Sequence, residues 1–374
     1  MPRGKMKKVF PGSNSAYGFY SFYDQIIEDD AARIFVIKGG PGVGKSTFMS
    51  NIARELLKLG YDVEFHCCSA DTDSLDGIVI PRLNIACIDG TAPHVVDPKN
   101  PGAVDEIIHL GEYWNEAGMI AHREAILKAN REISRLYRRA YRYLAAAKLF
   151  IDEVEDYYRE NNALDTAGLD KLALRLTEEI FGGKVNETLQ RRRERHLFAT
   201  AITPDGPVSY LETIVDRDYR RYIISGDDGT GKNELIARIK DAAFMHGYFV
   251  EVYHCALDPH KIDHVLIPQL NIAALNSVTP HLLEAVGDDR EIKTDAFVKD
   301  PGGIREKERD LARRMYQDTF ETAIAYINQA HEVHDELETY YIPNMRFGEI
   351  NRQALAVLEK ILTYSKPQPG AAAR

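Results

Sequence analysis

With 374 residues, 44% hydrophobic and 28% charged, the chain exceeds one average domain and has ordinary globular composition, which excludes disordered and fibrous classes. No run approaches the roughly 18 consecutive apolar residues of a membrane-spanning helix, and Met1–Phe10 is basic without an apolar h-region, so neither a membrane partner nor export is expected. Four cysteines, none spaced C-x-x-C, make a disulfide scaffold or structural zinc unexpected, and a formal charge of −10 weighs against nucleic acid, leaving a reducing, cytoplasmic setting as the expectation.

The chain is written twice. Residues 61–94 align without gaps to residues 248–281 at an offset of 187, with 14 of 34 positions identical. The same offset pairs Gly39, Gly44 and Lys45 with Gly226, Gly231 and Lys232. Further on, at an offset of 183, Asp152-Glu153-x-Glu155-x-Tyr157-Tyr158 repeats as Asp335-Glu336-x-Glu338-x-Tyr340-Tyr341. A boundary near residue 190 therefore divides repeat one (1–190) from repeat two (191–374). In chain order each repeat opens on a β-branched strand, Ile34–Ile37 or Tyr222–Ile224, followed by a glycine-rich turn and a helix. That helix carries Phe48, Ile52, Leu56 and Leu59 on one face in repeat one, and Gly60 or Gly247 ends it. A strand near 61–67, a polar loop and the strand Ile85–Ile88 follow. Next comes a helical arm, about 115–185 in repeat one and 303–365 in repeat two; Ile126, Ile133, Tyr137, Ala140, Leu144, Ala147 and Ile151 give it helical spacing. The fold class expected is α/β: a tandem duplication of a three-layer domain with a mainly parallel sheet, each copy carrying an arm and the two forming an intramolecular pseudo-dimer.

The turn Gly39-Gly40-Pro41-Gly42-Val43-Gly44-Lys45-Ser46 matches G-x-x-x-x-G-K-[ST], and Thr47 follows it into the helix. Glycines let backbone N–H groups close around phosphate oxygens, and a helix start aims further donors and a positive dipole end at the same anion. Lys45 then neutralises phosphate charge, and Ser46 reaches Mg²⁺. The second metal handle is expected at Asp89, where the apolar strand ends. In repeat two Ser46 becomes Asn233 and Asp89 becomes Asn276, while Gly226, Gly229, Gly231 and Lys232 persist and Asp227 and Asp228 enter the loop. Both metal positions are changed there, so one competent and one impaired site are expected.

The phosphate loop and strand-end Asp89 resemble the P-loop NTPase superfamily. The tandem layout resembles an uncharacterised bacterial family of duplicated P-loop ATPase-like proteins, and the likeness covers nearly the whole chain. That resemblance implies nucleotide binding; GDDGTGKN in place of GxPGTGKS departs from it and puts hydrolysis at the second loop in doubt. No N-K-x-D occurs, which favours ATP, and Gly90 rather than Glu follows Asp89. Asp71, Asp76 and His94, repeated as Asp258, Asp263 and His281, are the weaker candidates for activating water, the two aspartates being placed on a loop at a strand end. The reading is Mg²⁺-dependent ATP hydrolysis at the first loop. The alternatives are a small-molecule or nucleotide kinase and a non-catalytic nucleotide-gated module, either one acting on a small-molecule or protein partner that nothing in the sequence identifies.

Overall fold

The chain was described from a computed structural model covering residues 2–91, 95–160, 162–186, 194–299 and 306–365. Repeat one contains β1 (Met6–Val9), β2 (Gly12–Ser15), β3 (Gly18–Ser21), β4 (Arg33–Lys38), α1 (Lys45–Lys58), β5 (Val63–Cys67), β6 (Leu75–Ile80), β7 (Ile85–Asp89) and β8 (Asp105–His109). Helices α2 (Glu116–Ala121), α3 (Arg123–Glu160) and α4 (Thr166–Phe181) complete it. Repeat two contains β9 (Glu194–Leu197), β10 (Thr200–Thr203), β11 (Gly206–Ser209), α5 (Leu211–Ile214), β12 (Arg220–Ser225), α6 (Lys232–Met245), β13 (Val250–His254), β14 (Ile262–Ile267), β15 (Ile272–Asn276) and β16 (Arg290–Lys293). It ends with α7 (Glu306–Tyr341) and α8 (Phe347–Thr363).

The sequence repeat is a repeat of strand order. One six-stranded sheet runs β1-β5-β6-β7-β4-β8 and the other β9-β13-β14-β15-β12-β16, element for element the same. Neighbours are parallel except around β6 and β14, which run antiparallel to both of their partners. These two strands correct the expectation of a polar loop after β5. Leu75–Ile80 is buried throughout, and the chain reverses into β7 through Pro81–Leu83 and Asn84, whose φ of 53° lies in the left-handed region. Pro268–Leu270 and Asn271, at φ 51°, make the same reversal in repeat two. Asparagine tolerates that conformation better than other residues with a Cβ, so the shared P-x-L-N is a hairpin signal.

Packing divides the chain differently from the repeat boundary near residue 190. One compact unit comprises residues 1–11, 22–137 and 327–374, the other residues 12–21 and 138–326. The first unit holds the repeat-one sheet, and its helix α1 packs on α8 from the far end of the chain. Asn115 N donates to Asn344 O at 2.7 Å, Arg33 Nε to the Tyr364 hydroxyl at 2.9 Å, and Lys360 pairs with Glu106. Leu337 of α7 is buried against Ile126 and Ala129 of α3. The second unit holds the repeat-two sheet, with α4 of repeat one on α6. Its core joins Leu172, Leu176 and Phe181 of α4 to Tyr222, Ile236 and Val252. The hairpin β2–β3 also belongs to this unit, where the Asn14 side chain donates to Ile202 O at 2.8 Å. Thus the helix behind each glycine-rich turn packs against the last helix of the other repeat. No helix among the described residues is long and apolar enough to cross a membrane.

Leu337→Ala and Leu176→Ala are each expected to cost about 2–5 kcal/mol. Hydrogen exchange should show the first loosening the β4 sheet and the second the β12 sheet, although each leucine lies in the other repeat.

Candidate functional site

Strand β4 ends at Lys38 and α1 begins at Lys45, and the glycine-rich turn between them reverses direction through left-handed residues, Gly42 at φ 63° and Gly44 at φ 86°. Val43 is fully buried and anchors the turn. Lys45 folds back over the loop, its Nζ donating to Gly40 O at 2.7 Å and Gly39 O at 3.1 Å. The same ammonium lies 3.5 Å from Asp89 Oδ2. Asp89 is carried beside the loop because β7 pairs in parallel with β4, placing it opposite Ile37. Its other oxygen accepts from Thr91 N at 2.9 Å, and Thr91 Oγ1 accepts in turn from Gly39 N at 3.3 Å. Ser46 Oγ accepts from Leu75 N at 3.1 Å, while Thr47 is exposed. The predicted Gly39–Ser46, Lys45 and Asp89 are therefore one assembly.

Asp76 joins that assembly, which corrects its placement at a loop. It lies within β6 and is only 5% exposed. Burial pushes its carboxyl up to about 7; Asp89 adds to the rise, while the Tyr23 hydroxyl, the Cys68 thiol and Lys45 act against it. Asp71 is elsewhere engaged: its oxygens accept from Asp73 N at 3.1 Å and Ser74 Oγ at 2.5 Å, closing a turn. His94 lies outside the described residues. Its counterpart His281 is buried, with Nδ1 3.3 Å from Thr200 Oγ1 and its ring edge-on to His264.

The second loop is arranged as a closed circuit. Lys232 Nζ donates to Gly226 O at 2.8 Å and Asp227 O at 2.6 Å, as Lys45 does in the first loop. Here, however, the loop amides find carboxylates nearby: Asp227 N donates to Asp295 Oδ1 and Asp228 N to Asp227 Oδ1, each at 2.9 Å. Burial alone would raise the Asp227 carboxyl, but the Tyr158 hydroxyl and the Arg313 guanidinium outweigh it and hold it below the usual carboxylate range. Asp228 lies 3.9 Å from Lys232. The two residues that replace the expected metal handles meet at a single atom: Asn233 Nδ2 at 3.2 Å and Asn276 Nδ2 at 3.0 Å both donate to Asp263 Oδ1.

In repeat one the residues at these three positions are Ser46, Asp89 and Asp76, all oxygen donors, and Asp89 is close enough to Asp76 to raise the cost of ionising Asp76. Hard oxygen donors suit Mg²⁺. Among the described residues, no group of three or more histidine, cysteine, aspartate or glutamate side chains is placed to hold a metal. Comparisons with family models, curated proteins and solved structures found no match for the chain.

Because the folded protein binds the Asp76 proton more tightly than the unfolded chain does, its contribution to stability falls as pH rises from about 4 through about 7. Asp76→Asn is thus expected to raise the melting temperature most near pH 8 and by less than half as much near pH 5, measured by thermal denaturation without added divalent cation.

Proposed function

We propose that the protein binds ATP at the first loop and hydrolyses it with Mg²⁺, and that the second loop does not load nucleotide. The observation that carries this reading is the joint placement of Lys45, the left-handed glycines and Asp89 at the junction of β4 and α1. Loop amides and the first turn of α1 supply donors for phosphate oxygens, and Lys45 supplies the compensating charge. Ser46 and Asp89 supply the oxygen atoms that would hold Mg²⁺. When bound, that ion withdraws charge from the phosphate oxygens.

The chain's own residues do the rest. Lys45 is already tethered to the loop, so it needs little rearrangement to meet a phosphate. Asp76, buried beside Asp89 and Lys45, is the better placed of the two described candidates to accept a proton from attacking water, since Asp71 closes a turn. In the second loop Asp227 already occupies the surroundings with negative charge, and Asn233 with Asn276 supplies amide donors where a cation would need acceptors. The absence of an N-K-x-D guanine reader in the sequence favours ATP over GTP.

Lys45→Ala is expected to lower Mg-ATP turnover by roughly 10²-fold, on the order of 3 kcal/mol of transition-state stabilisation. Phosphate release is the measurement, and in the same assay Asp76→Asn should lower turnover while retaining ATP binding. Wild-type turnover in Lys45→Ala would contradict the assignment. ADP formed without free phosphate, and only after an acceptor is added, would move the reading to phosphotransfer.

A further inference from the structure

In both compact units the repeated D-E-x-E-x-Y-Y segment lies on a phosphate loop. In the first unit the last turns of α7 cross the loop, and Glu338 Oε1 accepts a hydrogen bond from Gly42 N at 2.9 Å. The fit is close: a Cβ on Gly40 would fall 2.7 Å from the Tyr341 ring, and one on Gly42 3.3 Å from Glu338 Cβ. In the second unit Glu155 and Tyr158 stand in the same relation to Gly229, where a Cβ would fall 2.8 Å from Glu155 Cα and 2.9 Å from the Tyr158 ring.

The two contacts differ in what secures them. Glu155 is held by Lys261 at 2.5 Å, and the Tyr158 hydroxyl donates to Asp227 Oδ2 at 2.9 Å and receives a hydrogen bond from Arg309 at 3.1 Å. Repeat one has Ser74 where repeat two has Lys261, and Gly40 where it has Asp227. Among the described residues the hydrogen-bonded partner of the Glu338 carboxylate is the loop amide alone. An amide of a phosphate-binding loop is a donor suited to an anion, and Glu338 is an anion already on it.

We infer that Glu338 is a displaceable latch: its carboxylate holds the Gly42 amide until a nucleotide phosphate takes that amide, which frees the last turn of α7. Glu155, fixed by Lys261, is the locked counterpart. The inference rests on the proposed nucleotide site at the first loop. Phosphate and carboxylate compete for one N–H and repel each other, so loading requires Glu338 to leave, and the end of α7 reports occupancy.

The test is calorimetric titration of the full chain with Mg-ATP, comparing wild type, Glu338→Gln and Glu338→Ala, with hydrogen exchange across residues 334–345. Removing the competing carboxylate should tighten ATP binding by on the order of tenfold in Glu338→Ala, about what one charge-assisted hydrogen bond is worth. Glu338→Gln, which matches glutamate in shape and retains an acceptor without the charge, should fall between. Saturating ATP should speed exchange at 334–345 in wild type. Equal or weaker binding by both variants overturns the latch and leaves the nucleotide reading standing. Binding by none of the three proteins removes the nucleotide reading and the latch with it.

Discussion

Backbone amides gathered by a tight glycine turn need acceptors, and the two halves of this chain meet that requirement in opposite ways. Repeat two meets it internally, through Asp227 and Asp295, with Arg313 and Tyr158 balancing the added charge. Repeat one keeps a loop free of acidic residues and lets one carboxylate from α7 reach the Gly42 amide. Satisfying an amide internally is stable but leaves nothing for a ligand; satisfying it with a single removable partner leaves the site available. The same logic governs the glycines. They provide the left-handed turns, and they also allow an arm helix to approach so closely that a methyl group at Gly40 would collide with Tyr341.

The positions expected to hold a cation obey a parallel rule. A buried carboxylate needs a proton, a cation or hydrogen-bond donors. Asp263 has donors, the amides of Asn233 and Asn276. Asp76 has the Tyr23 hydroxyl and the Cys68 thiol but also faces Asp89, and burial with that second carboxylate lifts it to about 7. Two substitutions thus exchange an acceptor-rich site for one closed by amides, while β6 and β14 keep the same place in their sheets.

Much of this was legible in the residues. The loop, its lysine and the helix behind it follow from the spacing of glycines ahead of an amphipathic run, and Asp89 from the end of the strand LNIACI. The strand β6 was not, because Leu75-Asp76-Gly77 places a charge and a glycine where a buried strand is expected to be apolar. Only the Pro81 to Asn84 reversal betrays the hairpin, and Asp76 is tolerated there because Tyr23, Cys68 and Lys45 offset its burial. Nor does sequence order reveal which sheet a helix covers. Chain connectivity favours the nearer one, yet α3 and α7 are long enough to be shared between the two compact units. The recurrence of D-E-x-E-x-Y-Y was the visible signal of that exchange, since a motif shared by both arms points to a common contact.

The proposed function requires one loop to accept a nucleotide and the other to refuse it. Calorimetric stoichiometry of ATP binding with and without Mg²⁺ addresses this most directly. One Mg²⁺-dependent site per chain, abolished by Lys45→Ala and untouched by Lys232→Ala, is the predicted result; two equivalent sites, or a single site that survives Lys45→Ala, would contradict it.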